Sequence, residues 1–414
     1  MEADVLLRIY IVILVAEFLI EKYTGWLNYR AMKDNLPDEV RGIYDEEKYK
    51  KSIAYNREGD RFSFLTSTLN FVIIMILILS GAFGWLDGVL REQISNEILL
   101  SLSFIGFLFI LADILGSPFD LYGTFVIEEK YGFNKTTPKT YLTDKLKGYF
   151  LTVLIGGGIL TVLLFLIQKL GANFWIYFWV VISLFTLFMN MFYTTLIVPL
   201  FNKLIPLEAG DLKKAIQDYT NGVKFPLENV YVIDGSKRST KANAYFSGIG
   251  KKKKIVLFDT LINNHSVEEL VAVLAHEVGH YKKKHIIQGY LSSIFQTGIM
   301  LWIMSLMIFS PELSGAFGAD QMGMHLNLLA FGILYSPVSR LTGLIMNVLS
   351  RKNEYQADAY ASSTYRGSEL KLALKKLSVN NLGNLTPHPL YVFLNYSHPP
   401  LLKRLKAIDQ VNNE

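Results

Sequence analysis

The stretch VLAHEVGHYKKKH, Val273 to His285, holds three side chains whose types and spacing can do chemistry. On a helix, positions i and i+4 share a face, so His276 and His280 can grip one metal ion. Glu277 is rotated off that pair yet stays beside the open coordination position, where it can take a proton from water. Ligand type points to zinc, although another divalent ion could use the same groups. There is no cysteine, so a thiol nucleophile and thiolate ligands are excluded, and any metal site must be built from His, Asp and Glu. Ser266 and Glu269 form a capping box ahead of an apolar LVAVLA run, which predicts a helix through the motif. The competing reading, two structural histidines on a surface helix, is disfavoured in a chain with only 7 His, where chance rarely produces this spacing.

Two histidines leave a ligand missing. His285 lies five residues after His280, whereas the extended metzincin pattern places its third His six residues on, behind a Gly turn. His285 therefore reads as an interfacial residue at the entry to a membrane helix. A better source is RKNEYQADAYASS, where Glu354 and Asp358 stand at i and i+4 on a predicted helix. One carboxylate can bind the metal while the other orients a ligand histidine through its free ring nitrogen. Alone the pair would read as a solvated acidic face; its place directly behind the last apolar span, on the same side as HEVGH, argues otherwise.

Around the motif lie elements that could hold a substrate. In KANAYFSGIGKKKKIVLFDTLI, Tyr245 to Ile249 and Lys254 to Phe258 read as two short strands around a Gly-Lys turn. An exposed strand edge can pair with an extended peptide and leave its carbonyl at a metal. The basic run Lys251 to Lys254 reads as a solvated hairpin tip near anionic lipid. In NYSHPPLLKRLKAI, Pro399 and Pro400 stop any upstream helix and Leu401 restarts one. His398 then sits on a rigid loop, where it could donate to an oxyanion, with Arg404 on the turns behind it.

The chain that must position these groups has a membrane composition. Of its 414 residues 51% are hydrophobic and 19% charged, against about 25% charged in soluble domains; mean hydropathy is +0.28. A net charge of +5 is too mild to argue for nucleic acid. Seven segments are apolar enough to span: Val5 to Ile20, Phe62 to Leu86, Ile98 to Ser117, Tyr149 to Ile167, Phe174 to Val198, Ile286 to Ile308 and Leu326 to Leu349. The acidic opening and bulky Phe18 to Ile20 do not suit a cleaved signal peptide, so the first is read as a retained span. Lys and Arg number nine in Glu21–Arg61, five in Tyr122–Gly148 and fourteen in Phe201–His285, while the alternate connections are nearly bare. That bias puts the N-terminus outside and the HEVGH loop and C-terminus in the cytoplasm. Asp113 and Arg340 fall within spans, reading either as a polar bundle interior or as local ion pairs.

The blocks FVIEEKYGFNKTTPKTYLTDKLKG, NAYFSGIGKKKKIVLFDTLI, LAHEVGHYKKKH, SPVSRLTGLIMNVLSRKNEYQADAYA and YSHPPLLKRL, in this order, cover nearly the whole chain. Together they resemble the integral-membrane zinc proteases of the type I CAAX prenyl endopeptidase family. The resemblance implies a mostly α fold, seven transmembrane helices enclosing a polar, water-filled chamber, capped by a gluzincin-type zinc peptidase domain with a small β-hairpin. It implies one Zn2+ held by His276, His280 and Glu354, with Glu277 as general base, which leaves Asp358 as the carboxylate that orients a ligand histidine. It implies Asn243, with Ala244 and Tyr245 beside it, as a substrate-binding edge strand, and His398 and Arg404 as active-site residues. The implied reaction removes the last three residues of a prenylated CAAX sequence; the alternative with the same chemistry is membrane-protein quality control on non-prenylated substrates. A seven-helix transporter with structural zinc would need four protein ligands, and only three are convincing. The implied division is 1–200 for five membrane helices, 201–285 for the HExxH segment, 286–349 for two further spans and 350–414 for the segment with the third ligand. The expected partners are the prenylated substrate and the bilayer, with no nucleic acid; the oligomeric state stays open, a monomer included. The expected location is the endoplasmic reticulum, or the inner membrane of a bacterial homologue, which the short Asp87–Asn96 connection brings to mind.

Overall fold

Caps set the frame of the membrane half. The Asp45 side chain accepts from the Lys48 backbone N–H, Asn96 Oδ1 accepts from Ile98 and Leu99, and Thr137 followed by Pro138 opens a third helix. The computed structural model describes residues 2–225, 229–248 and 254–412. Its main helices are α1 (Ala3–Ala31), α2 (Glu46–Leu79), α3 (Glu97–Tyr122), α4 (Pro138–Leu151), α5 (Gly158–Leu170), α6 (Phe174–Leu196), α7 (Val267–Lys282), α8 (His285–Met307), α9 (Met324–Thr364), α10 (Gly367–Asn380) and α11 (Leu401–Asn412).

Among the described residues, five helical runs are long and apolar enough to cross a membrane: Glu46–Leu79, Glu97–Glu128, Pro138–Phe201, His285–Met307 and Met324–Thr364. The third run contains two of the expected spans. It breaks where Gly171, at φ 53°, turns the chain, and α5 and α6 then pack together through Ile167, Phe174 and Phe178. The first expected span lies on α1, but Asp4, Arg8, Glu17, Glu21 and Lys22 leave it no long uncharged stretch. Large apolar side chains such as Val153, Leu184, Phe295 and Leu306 point outward from these helices. So much exposed apolar surface belongs against lipid, and the chain is a multi-pass membrane protein.

Asp113 and Arg340, in the third and seventh expected spans, fare differently. Asp113 accepts from Tyr149 at 2.5 Å and pairs with Lys145 at 2.9 Å, which is the local ion-pair arrangement. Arg340 lines a cavity of about 460 Å³ together with Glu17, Tyr335, Ser339 and Asn347, and its buried Nη1 has no hydrogen-bond partner among the described residues. Arg340 thus lies on a cavity with polar lining.

Outside the spans a four-stranded sheet forms from β1 (Leu204–Pro206), β2 (Asn229–Ile233), β3 (Ala244–Ser247) and β4 (Lys254–Phe258), in the order β1-β2-β4-β3. β2 and β4 are parallel, and β3 pairs antiparallel with β4 in the register Ala244↔Leu257. The expected hairpin is therefore one side of a wider sheet, and β3 is its edge. Ile249 and the tip residues Lys251–Lys253 lie outside the described residues. Ile255 and Leu257 of β4 pack on Leu270, Val271, Leu274 and Val278 of α7, closed by Ala361 of α9 and Leu370 of α10. This core fixes α7 against the sheet. The segment between α1 and α2 also joins the C-terminal part, where Met32, Val40, Tyr44 and Tyr49 pack with Val379 and Leu385.

Candidate metal centre and substrate strand

The capping box forms as the sequence predicts: Ser266 Oγ accepts from Glu269 N, and the Glu269 carboxylate accepts from Ser266 N. It starts α7 three turns before the histidines. Gly279 then sets how closely α7 meets α9. A Cβ there would lie 3.1 Å from the Cα and carbonyl oxygen of Ala357 and 3.2 Å from Tyr360 Cβ. Only a hydrogen fits comfortably, and the close approach brings His276 and His280 against Glu354.

Their ligand atoms all lie within 4.8 Å of one another. The Nε2 atoms of His276 and His280 face each other at 3.1 Å. The Glu354 carboxylate lies 3.5 Å from the first and 3.2 Å from the second. Glu354 Oε2 is buried with no hydrogen-bond partner among the described residues. Two imidazole nitrogens and a carboxylate oxygen, inward-facing and one of them orphaned, are a fitting donor set for a zinc-like ion.

Outside this set the rings are braced. His276 Nδ1 lies 2.8 Å from Asp358 Oδ1. Arg404 forks onto the same carboxylate, Nε to Oδ2 at 2.8 Å and Nη2 to Oδ1 at 2.6 Å, with Nη1 3.4 Å from Glu354. A carboxylate accepting at Nδ1 leaves the Nε2 lone pair of His276 free to face inward. Burial opposes a charge on His276, but its hydrogen bonds to Asp358 and Glu354 outweigh that, and its pKa rises to about 9. Burial pushes the Glu277 carboxyl up, against the pull of His276 and His280. Metal-free, the site holds protons that a cation would displace.

The expected site residues come together around one cavity of about 300 Å³, bounded by Asn243, Ala244, His276, Glu277, His280, Glu354, His398 and Arg404. Tyr245 lies on a neighbouring cavity of about 390 Å³, which shares Ala244, Glu277 and His280 and adds Ile286, Met346 and Leu349. His398 is exposed at the rim, its Nε2 3.4 Å from Glu354 Oε1. It sits on the loop between the helix Pro389–Asn395 and α11, as the two prolines dictate. The Asn243 carbonyl accepts from Phe258 N, and its side chain turns back to Ala244 N at 2.8 Å.

His285 departs from its expected setting. It is the first residue of α8, at the foot of a candidate span, yet it is 7% exposed and turned into the site. Its Nδ1 is 3.0 Å from His280 Nδ1 and its Nε2 2.9 Å from Gln356 Oε1. Extending α7 through the lysines would put His285 off the ligand face. Instead Lys284 adopts a left-handed conformation, φ 60°, and folds the chain back. Lysine gives little sign of such a turn, for which Gly or Asn is usual. Gln356 was missed because it stands two residues from Glu354, a spacing that does not share a helix face.

Comparison with known proteins comes to the same ground. A family profile described as "CAAX prenyl protease N-terminal, five membrane helices" matches residues 26–203, and one described as "Peptidase family M48" matches residues 206–412. The chain is 36% identical over 405 residues to a CAAX prenyl protease 1 homolog of Arabidopsis thaliana, covering 96% of each chain. It is 34% identical to CAAX prenyl protease 1 of Saccharomyces cerevisiae, covering 97% of this chain and 94% of the other. A crystal structure of S. mikatae Ste24p superposes with a TM-score of 0.92 at 33% identity, over 98% of this chain and 99% of that one.

Proposed function

The chain belongs to peptidase family M48 and is a metalloprotease, and we propose from that premise that it is a zinc endopeptidase acting near the C-terminus of prenylated CAAX proteins, where it releases the AAX tripeptide. The observation that carries this reading is the convergence of His276, His280, Glu354 and Glu277 beside the edge strand β3, at the foot of helices long enough to cross a membrane. We read the whole as seven spans around a polar chamber with the peptidase part on the cytoplasmic face, in keeping with the Lys and Arg distribution and the Arg340 cavity. The division at 200, 285 and 349 follows that reading, with the α1–α2 segment docked on the C-terminal part.

In this mechanism His276, His280 and Glu354 would hold one zinc ion, with Asp358 and Arg404 keeping the first ring and carboxylate in place. When bound, the ion would supply Lewis acidity to the scissile carbonyl and to the attacking water. Glu277 takes the proton from the attacking water and returns it to the leaving amine. Its buried position, which raises its pKa, suits a group that must both accept and release a proton. His398 donates to the oxyanion from the rim. The peptide lies extended on the free edge of β3 at Asn243–Tyr245.

A specific observation favours a lipidated substrate over membrane-protein quality control. The cavity walled by Ile286, Met346 and Leu349 shares Tyr245, Phe246 and Ile286 with a second cavity of about 640 Å³ that reaches Phe185, Met189 and Tyr193 on α6. An apolar chain could run from the cleavage site toward the bilayer along it. The deciding experiment follows cleavage of a farnesylated CAAX peptide beside its unmodified twin, with metal content measured and Glu277→Gln as control. Preference for the farnesylated peptide, and a Glu277→Gln protein that keeps its metal but loses ~10²–10⁴-fold in kcat, is the expected result. Equal cleavage of both peptides would instead support quality control.

A further inference from the structure

The two ligand histidines are braced by unlike partners. His276 leans on Asp358, a carboxylate anchored by Arg404. His280 leans on a neutral chain, through His285 to Gln356. We propose that His285 and Gln356 form a positioning pair that fixes the tautomer and ring plane of His280 for metal binding. The proposal rests on the reading of His276, His280 and Glu354 as the metal ligands.

One proton assignment satisfies every contact. To bind a cation through Nε2, His280 must carry its proton on Nδ1. That N–H then donates to His285 Nδ1, 3.0 Å away, which must be an acceptor. His285 therefore carries its own proton on Nε2, which donates to the Gln356 side-chain oxygen at 2.9 Å. The opposite assignment would put an N–H of His280 among the ligand atoms, 3.2 Å from Glu354. A neutral amide at the end of the chain accepts the bond without adding a third negative charge beside Glu354 and Asp358.

The backbone supports this placement. Lys284, in its left-handed conformation, ends the α7 turn and starts α8, so His285 is pinned between the two helices. Gln356 is on α9, as Glu354 is, one helix side over. The pair therefore ties three elements at one ligand: α7 through His280, α8 through His285 and α9 through Gln356. Because α8 begins at His285 and is a candidate span, the second ligand is referenced to the membrane helices and the first to the C-terminal helix α11 through Arg404.

The test uses purified full-length protein stripped of metal, with zinc affinity read by chelator competition and the ligand field by visible absorption of the cobalt(II) form. His285→Ala should lower zinc affinity about 10–100-fold and alter the cobalt spectrum. His285→Asn keeps an acceptor at the Nδ1 position but loses the link to Gln356, so it should show the smaller loss given by Gln356→Leu. The double variant His285→Ala/Gln356→Leu should be no weaker than His285→Ala alone, because Gln356 acts only through His285. Melting of the metal-free proteins checks that the variants fold, and His285→Asn provides the reading if His285→Ala does not. The proposal is overturned if a folded His285→Ala binds zinc within about twofold of the parent with an unchanged cobalt spectrum. It is also overturned if the losses from His285→Ala and Gln356→Leu simply add. A separate control, His276→Ala, tests the ligand reading itself: if it leaves zinc binding intact, the site is elsewhere and the failure lies with that reading.

Discussion

Asp358 offers the sharpest perturbation, because one carboxylate holds both His276, a proposed metal ligand, and a buried arginine. Its Oδ1 accepts from His276 and from Arg404 Nη2, and its Oδ2 accepts from Arg404 Nε. The Asp358 and Arg404 side chains are 2% and 12% exposed, so the pair is screened little by solvent. Asp358→Asn can keep its oxygen at the Oδ1 position, preserving the bond to His276 and one of the two to Arg404. Asp358→Ala loses all three. Loss of a partner behind a metal-bound histidine typically costs 10–100-fold in metal affinity, which is about 1.4–2.7 kcal/mol. Leaving a buried charge unpaired costs a further ~3–5 kcal/mol of stability; the nearby Glu354 carboxylate, 3.4 Å from Arg404, argues for the lower end. Asp358→Asn should therefore bind zinc within about tenfold of the parent. Asp358→Ala should fall toward the hundredfold end and melt earlier even when metal-free. Chelator competition and thermal melting in detergent measure the two effects separately. An Asp358→Ala protein with parental zinc affinity would refute the bracing role, and equal losses in Asn and Ala would mean that charge rather than the hydrogen bond to His276 is what matters.

Two further outcomes follow from the same geometry. Gly279→Val would force α7 away from Ala357 and Tyr360, which stand 3.1–3.2 Å from the position of a Cβ; it should cost about 1–3 kcal/mol by overpacking and lower metal retention, both measurable by melting and metal analysis. The His276 pKa, raised from 6.5 to about 9, sets the pH response of the metal-free protein. A raised pKa contributes stability that is complete below about pH 6.5 and lost as pH climbs through about 9. Zinc needs the neutral ring, so its apparent affinity should rise about tenfold per pH unit over that window, with about one proton released per zinc bound near neutral pH. Calorimetry in buffers of different ionisation enthalpy counts that proton; its absence would mean that His276 is already neutral.

Much of the site was legible because it rests on local periodicity. His276 and His280 share a face by helical spacing, Ser266 and Glu269 announce the start of α7, and Glu354 and Asp358 repeat the i, i+4 relation on α9. The prolines before Leu401 placed His398 on a loop and Arg404 on a helix for equally local reasons. His285 and Gln356 were not legible in this way. One depends on a lysine in a left-handed turn, and the other on an i, i+2 offset whose value depends on which element approaches from the side. The strand pair was legible and its edge position was expected, but the four-stranded sheet it belongs to was not, because β1 and β2 join from upstream segments.

By itself the sequence determined the chemistry available to this protein. Without cysteine and with few histidines, a metal site had to be HExxH plus carboxylates, and the apolar runs and basic loops required a membrane with the site at its border. What it left to the tertiary structure was orientation. Whether Glu354 or Asp358 faces the imidazoles inward is set by the packing of Gly279 on Ala357, and which ring each outer group braces is set by where α8 and α11 return. Spacing along one helix fixes a face; only the packing of helices distant in sequence fixes what that face meets.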